Sequence, residues 1–277
     1  NITNIQNTSD VRKAVASEIE IDGTASTATF TTATTINVSH TTGNGSNRLM
    51  VVGVSVTNDG ELTTNLNISV RNVTYRGNIL TKIGEVQIDD DANLGIYFLV
   101  NPQSGNENVT VNMRTAAATG GAIGVMTFTG VNQTTPNGTF VSDGSDTAPH
   151  TFTVTSASDE LIISVASCEG CTDFIPDSNQ TEQWDLGTAR GEGTTTPGLA
   201  SRTLSWTATG GTHWVFGGVS IKRGAVAINE TNTTYTTYND VNSDYDNIDN
   251  ITIKVEVDSY DPRASVNQGT NKPDLQL

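Results

Sequence analysis

"RLMVVGVSV", residues 48–56, is the stretch that decides the fold. Its apolar residues follow one another almost without a break, so both faces of an extended strand are apolar here. Leu49 and Val51 point to one face, and Met50 and Val52 point to the other. Because a strand of this kind is buried on both faces, we expect it to lie in the centre of a sheet.

The rest of the chain reads as short strands separated by turns rich in Gly and Asn, without a sustained helical period. In "TFTVT", residues 151–155, Phe152 and Val154 are predicted to point inward. The predicted strands cover residues 27–40, 47–58, 67–77, 79–88, 94–101, 108–114, 122–131, 151–156, 160–167, 181–189, 200–209 and 213–223. This pattern predicts an all-β fold: a two-sheet antiparallel, jelly-roll-like β-sandwich with extended terminal β segments.

Changes in composition and residue pattern along the chain predict three parts. Residues 24–223 form the β-sandwich, residues 1–23 an extended N-terminal segment, and residues 224–277 a C-terminal β segment or partial second module. An isolated amphipathic strand is marginal in water and must pair with something. The C-terminal part contains such a strand, predicted to be an assembly strand, whose apolar face consists of Ile251, Ile253, Val255 and Val257. Its partner, like that of the N-terminal segment, is the same chain, a second domain or a neighbouring subunit.

Asn-X-Ser/Thr triplets are abundant. The chain contains thirteen of them, about twice the roughly six or seven expected by chance from its composition. The candidate glycosylation sites are Asn1, Asn7, Asn37, Asn44, Asn67, Asn72, Asn108, Asn132, Asn137, Asn179, Asn229, Asn232 and Asn250. Because N-glycans are bulky and solubilising, a chain that carries many must be secreted and must expose those asparagines. The triplets therefore predict an extracellular glycoprotein whose partners include N-linked glycans.

Charge and hydropathy exclude several classes of protein. Thirty acidic residues against 14 basic ones give a formal net charge of −16. Such a field repels nucleic acids and anionic membrane surfaces. No apolar stretch approaches the ~18 residues of a transmembrane helix, so we expect no nucleic-acid partner and no membrane span.

The two cysteines, Cys168 and Cys171, are separated by two residues in "SCEGCTD". One pair without a neighbouring His does not supply the four ligands of a structural zinc site. In an oxidising exterior, a local disulfide is favoured over free thiols.

Calcium is the one candidate ion, and no other cofactor is predicted. The loop "DVNSDYDNID" places Asp240, Asn242, Asp244, Asp246 and Asp249 close together. It lacks the Gly and Glu of an EF-hand, but calcium also accepts irregular loops of oxygen ligands. A second cluster, Asp89, Asp90 and Asp91, is interpreted as a solvated turn, with a calcium site as the lesser alternative.

Signatures of catalysis are missing from the sequence. The three histidines, His40, His150 and His213, are far apart, and none belongs to a catalytic motif. A glycosidase needs only two carboxylates, but nothing in the sequence selects a pair such as Glu169 with Glu182 or Asp185. We therefore expect a protein that is not an enzyme. The aromatic side chains offer an alternative sugar-stacking platform, although tryptophan within a strand is more often core; they are Tyr75, Tyr97, Trp184, Trp206 and Trp214.

Several segments resemble a known module. "SNRLMVVGVSV", "NVTYRGNILTKIGEV", "LGIYFLVNPQSGNENVTVNM", "VMTFTGVNQTTPNG" and "DELIISVAS" are similar to a β-sandwich module that recurs in large secreted surface proteins of archaea and bacteria. The resemblance covers about residues 24–223, and the tail resembles the start of a further β-rich module. It implies a structural or adhesive role at the cell surface.

Two functional hypotheses follow from these observations. The first is a self-assembling structural protein: a glycosylated subunit of an extracellular filament, sheath or layer, a homopolymer in which a donor strand of one subunit completes a sheet of the next. The alternative is a carbohydrate-binding or adhesive module of a larger surface protein.

Overall fold

The computed structural model of the chain describes residues 18–58, 69–89, 91–114, 120–146, 150–187 and 191–224. These residues are almost entirely β, which confirms the predicted all-β sandwich class. Within them, no helix is long and apolar enough to cross a membrane. The strands are β1 (Glu20–Ile21), β2 (Ser26–Phe30), β3 (Thr35–Thr42), β4 (Leu49–Thr57), β5 (Val70–Tyr75), β6 (Asn78–Ile79), β7 (Thr81–Ile88), β8 (Ala92–Val100), β9 (Gly105–Met113), β10 (Gly120–Thr129), β11 (Val141–Ser145), β12 (His150–Val154), β13 (Leu161–Glu169), β14 (Phe174–Pro176), β15 (Thr181–Leu186), β16 (Gly191–Pro197), β17 (Arg202–Ala208) and β18 (Thr212–Ile221).

The strands form four antiparallel sheets. The first inner sheet has the order β10-β4-β8-β7, with β1 and β2 both paired to the free side of β10, and the first outer sheet has the order β3-β9-β5-β6. The second inner sheet has the order β11-β18-β13-β16-β15, and the second outer sheet has the order β12-β17-β14. The sheets stack as outer, inner, inner, outer, because three separate apolar cores lie between successive sheets.

The order of pairing repeats along the chain. In the second half, the first strand β11 pairs with the last strand β18, which pairs with β13, then β16 and β15; β12, β17 and β14 form the accompanying sheet. In the first half, β2, β10, β4, β8 and β7 follow the same order, accompanied by β3, β9 and β5. We call β2–β10 the first repeat and β11–β18 the second repeat. The region predicted as one sandwich thus contains two jelly-roll-like sandwiches packed through their inner sheets.

The central position of β4 is confirmed. Every residue of Leu49–Thr57 is buried, and β4 pairs with β10 on one side and β8 on the other. One face contributes Val52 and Val54 to the core of the first repeat. The other contributes Leu49 and Val51 to the core between the repeats. A continuous apolar run is therefore required here, since each face contacts a different core.

The strand β12 confirms the second pattern. Phe152 and Val154 are buried and the intervening threonines are exposed, as expected when one face of an outer sheet contacts solvent.

The N-terminal boundary differs from the prediction. Glu20 and Ile21, within the segment 1–23 that was predicted to be separate, pair with Thr129 and Phe128 of β10 in the same chain. Ile21 also packs against the core between the repeats. The sandwich therefore includes residues before position 24. Residues 1–17 and 225–277 lie outside the described residues.

Candidate functional site

One end of the molecule brings five ionisable side chains together. We call Asp89, Asp91, Asp146, Glu169 and His213 the His213 cluster. The two repeats both contribute to it. Asp89 and Asp91 lie in the turn between β7 and β8 of the first repeat. Glu169 and His213 belong to β13 and β18 of the second repeat, and Asp146 directly follows β11.

The imidazole of His213 is the centre of this cluster. Its Nδ1 lies 2.6 Å from Oε2 of Glu169, which also accepts a hydrogen bond of 3.3 Å from the hydroxyl of Thr212. On the other side of the ring, Nε2 lies 3.4 Å from Oδ2 of Asp91 and 3.9 Å from Oδ1 of Asp146. One ligand atom each of Asp89, Asp91 and His213 lie within 4.8 Å of one another. This donor set can hold a metal ion.

The electrostatics of His213 reflect its acidic neighbours. Burial by itself lowers the pKa of the imidazole, but the hydrogen bond to Glu169 and the charges of Asp91 and Asp146 outweigh it and raise the pKa above its usual value. The side chains of Asp91 and Glu169 are only 17% and 16% exposed. Their charges are therefore screened less than those of fully solvated carboxylates.

Sequence reasoning identified only part of this cluster. Asp89, Asp90 and Asp91 were interpreted as a solvated turn with calcium as the lesser alternative, and His213 as isolated; Asp90 lies outside the described residues. The imidazole of His213 is 124 residues away in sequence from Asp89, and only the packing of the two inner sheets joins them. His40 and His150 lie outside the His213 cluster and contact other residues. His40 lies 2.8 Å from the hydroxyl of Thr127, and His150 stacks on Trp214.

Seven of the thirteen candidate glycosylation asparagines lie within the described residues, and none of the seven is buried. The exposed asparagines are Asn37, Asn44, Asn108 and Asn179, and the half-buried ones are Asn72, Asn132 and Asn137. Asn1, Asn7, Asn67, Asn229, Asn232 and Asn250 lie outside the described residues.

Three of these asparagines share one surface. Asn37 of β3, Asn72 of β5 and Asn108 of β9 belong to the first outer sheet. Their side chains lie on its solvent face among hydroxyls and amides: the hydroxyl of Thr110 donates to Oδ1 of Asn37 (2.7 Å), and Nδ2 of Asn112 donates to Oδ1 of Asn72 (2.8 Å). Asn37 and Asn72 are the acceptors in these two bonds. Their Nδ2 atoms, to which an N-glycan would be attached, take no part in them.

The two cysteines form a disulfide. Cys168 and Cys171 are bonded, with their Cα atoms 5.9 Å apart, and the bridge closes the turn that follows β13. Both residues are buried in the core of the second repeat.

The five candidate aromatic residues form no sugar-stacking platform. Tyr75, Tyr97, Trp184, Trp206 and Trp214 are all 5% exposed or less. The indole of Trp184 packs between the repeats, directly over Gly124 and Gly193, where a Cβ would collide with the ring. These five residues are therefore core, in agreement with the interpretation favoured for tryptophans within strands.

A buried carboxyl in the second repeat was missed by sequence reasoning. Glu192 is 0% exposed, and neither carboxyl oxygen has a hydrogen-bond partner. It lies opposite Asp185 across β15 and β16. Burial, followed by the charges of Asp185, Glu182 and Asp173, raises the pKa of Glu192 to about 8. The indole N–H of Trp206 lowers this pKa by a smaller amount, without a hydrogen bond of normal geometry.

The predicted calcium loop, Asp240, Asn242, Asp244, Asp246 and Asp249, lies outside the described residues, as does the predicted assembly strand Ile251, Ile253, Val255 and Val257.

Comparison with known proteins gives no family for this chain. No model of a known protein family matches it, and no curated protein matches it. The similarity to surface β-sandwich modules therefore remains a prediction based on the quoted segments.

Proposed function

We propose that the chain is a structural protein of the cell exterior: a glycosylated subunit of a surface filament, sheath or layer. The observation that carries this proposal is the solvent face of the first outer sheet, where three candidate acceptor asparagines lie together and none of the seven described acceptors is buried. A face of this kind tolerates bulky glycans because its side chains already point to solvent.

Strand addition is the proposed mode of assembly. The strands β7 and β15 end their inner sheets and, among the described residues, each pairs with one neighbour only. An edge strand presents unpaired N–H and C=O groups to which another strand can add. The apolar side chains of Ile251, Ile253 and Val255 alternate as required of a donor strand, and burying each contributes about 1.5 to 3 kcal/mol before entropy costs.

The test is electron microscopy of native material shed from the cell surface, at a resolution that traces the backbone. We expect continuous fibres or sheets in which residues 249–277 or the first residues of the chain cross into the next subunit, with extra density on asparagines. Discrete monomers whose ends fold back on their own chain would contradict the proposal.

A matched pair of variants separates assembly from folding. Ile253→Asp combined with Val255→Asp is expected to abolish polymers and to leave the thermal unfolding of the sandwich unchanged. Thr252→Asp adds a charge to the opposite face of the predicted strand and is expected to assemble. Equal assembly of both variants would exclude this strand as the donor.

A further inference from the structure

We propose that Asp89, Asp91 and the Nε2 atom of His213 bind one divalent transition-metal ion, with zinc the best match, and that this ion joins the two repeats. The site is independent of the proposed function, since it uses neither the glycan acceptors nor the donor strand.

The donor atoms already converge. Their mutual separations are within 4.8 Å, whereas zinc holds His nitrogen and carboxylate oxygen at about 2.0 to 2.2 Å, so that ligands of one ion are at most ~4.4 Å apart. Small side-chain rotations therefore complete the site. Asp146, whose Oδ1 lies 3.9 Å from Nε2 of His213, is placed to supply a further oxygen.

Glu169 orients the imidazole for this role. A carboxylate can only accept a hydrogen bond, so the 2.6 Å contact requires a proton on Nδ1 of His213. Nε2, which faces Asp91 and Asp146, is then the ring nitrogen left to bind a metal ion. Metal-binding histidines usually donate their second N–H to a carboxylate in this way.

The charge balance also favours a cation. Four carboxylates surround one imidazole, and no ion pair links any of the four to a lysine or arginine among the described residues. Even a protonated His213 would leave three negative charges close together. A divalent ion bound by Asp89 and Asp91 offsets the charges of these two carboxylates.

The nitrogen ligand selects the class of metal. Calcium and magnesium prefer oxygen ligands only, and calcium needs six to eight of them. Imidazole suits zinc and other transition metals, which also accept carboxylates, and zinc is satisfied with four ligands. One nitrogen and two or three oxygens, with water in a remaining position, therefore fit zinc better than calcium.

The test is isothermal titration of the full-length chain, freed of metal with a chelator, with zinc, calcium and magnesium chloride in turn. We expect one zinc ion per chain at this site, and zinc affinity at least tenfold above that for calcium. His213→Gln and, separately, Asp91→Asn are each expected to weaken this zinc binding at least tenfold. Glu20→Gln, which removes an exposed carboxylate on β1, is the matched control and should bind as the parent chain does.

Glu169 has its own test as a positioning residue. Glu169→Ala removes the acceptor and should weaken zinc binding by about 10- to 100-fold, the usual effect of losing such a partner. Glu169→Gln keeps an acceptor oxygen and should restore most of the affinity. A residue with a purely structural role would not distinguish these two variants by metal affinity.

Thermal unfolding and NMR supply the remaining readouts. The Tm of the parent chain should rise with zinc concentration and that of Asp91→Asn should not, and zinc should shift the Nε2 resonance of His213. Zinc binding that is unchanged in both His213→Gln and Asp91→Asn would overturn the proposal, because the acidic C-terminal loop would then be the site. Absence of stoichiometric zinc binding would also overturn it and leave His213 as a protonated ion-pair centre. If His213→Gln does not fold, Asp91→Asn and the NMR shift decide alone.

Discussion

The two repeats share an order of strands but differ in what they bury. The core of the first repeat is mainly aliphatic and includes Phe30, Tyr75 and Tyr97. The core of the second contains stacked aromatic rings and a disulfide, and polar groups are buried on the same face of its inner sheet. The hydroxyls of Ser164 and Thr194 lie 2.6 Å apart there, and Glu192 is fully buried.

The same backbone architecture thus tolerates two kinds of interior. Equivalent positions show this directly: Ile123 of β10 and Phe216 of β18 each lie opposite a buried residue of the central strand and point into the core of their own repeat. Both repeats bury polar side chains, such as His40 and Asn93 in the first. The second repeat also buries the carboxyl group of Glu192 and a disulfide, so its stability depends on pH and redox state as well.

The largest expected effect is on the pH dependence of stability. The pKa of Glu192 is about 8 in the folded chain and near 4.3 when unfolded, so the folded state binds the extra proton. The contribution of Glu192 to the free energy of unfolding should therefore be highest below about pH 4.3. It should fall as the pH rises and level off above about pH 8, with a total loss on the order of 5 kcal/mol.

The measurement is urea unfolding of the parent chain and of Glu192→Gln between pH 5 and pH 9. The glutamine variant keeps the shape and cannot ionise, so its stability should lack this decline. A parallel decline in both proteins would assign the pH dependence to groups other than Glu192.

Truncation of the two equivalent core residues comes next. Phe216→Ala removes a ring whose centroid is 5.2 Å from that of Trp206 and 5.9 Å from that of Trp214, and we expect a loss of about 3 to 5 kcal/mol. Ile123→Ala in the first repeat is expected to cost about 2 to 5 kcal/mol. Calorimetry then asks whether the repeats unfold together. If each variant lowers the Tm of a different unfolding transition, the core between the repeats does not couple their unfolding. A single transition whose Tm is lowered in both variants would show that the two repeats unfold together.

Reduction of the disulfide has a smaller effect, again confined to the second repeat. Closing so short a loop stabilises by about 2 kcal/mol in the chain-entropy model. The double variant Cys168→Ser, Cys171→Ser should therefore lower the free energy of unfolding by about that amount. Adding a reductant to the parent chain should have the same effect and should leave the double variant unchanged. Free thiols in the unreduced, denatured parent chain would contradict the bridge.

The sequence predicts the strands that bury apolar side chains, and it does not predict those that bury mainly glycine and polar side chains. The apolar run of β4 and the alternation of β12 identify both strands and their faces. The strand β16, "GEGTTTP", is buried over six of its seven residues without one large apolar side chain, so hydrophobic periodicity does not detect it. Residues 27–40 read as one strand because threonines continue the alternation, but the chain turns at Thr32, whose φ is +53°.

The repeat itself had a signal in the sequence. "SNRLMVVGVSV", residues 46–56, and "SDELIISVASC", residues 158–168, share a polar start followed by a mostly apolar run. They become β4 and β13, the central strands of the two inner sheets. The His213 cluster had no such signal. Its members come from four separate places in the chain, and only the packing of the two inner sheets brings them together.

The smallest expected change in stability concerns the candidate glycan acceptors, which are distributed differently on the outer faces of the two repeats. The first outer sheet carries Asn37, Asn72 and Asn108. The second outer sheet exposes threonines, and the described acceptor nearest to it in sequence, Asn179, lies between β14 and β15. Glycans should therefore coat one outer face and leave the other bare.

Asn108→Gln in the native producing cells is expected to remove the mass of one glycan and to change the free energy of unfolding by less than about 0.5 kcal/mol, as for other surface substitutions. Asn106→Gln is the matched control, since Asn106 is exposed on the same strand but is not followed by the acceptor triplet; its glycan mass should not change. Intact-protein mass spectrometry measures both. The opposite result would be a glycan on Asn179 and none on Asn37, Asn72 or Asn108. It would contradict the predicted difference between the two outer faces.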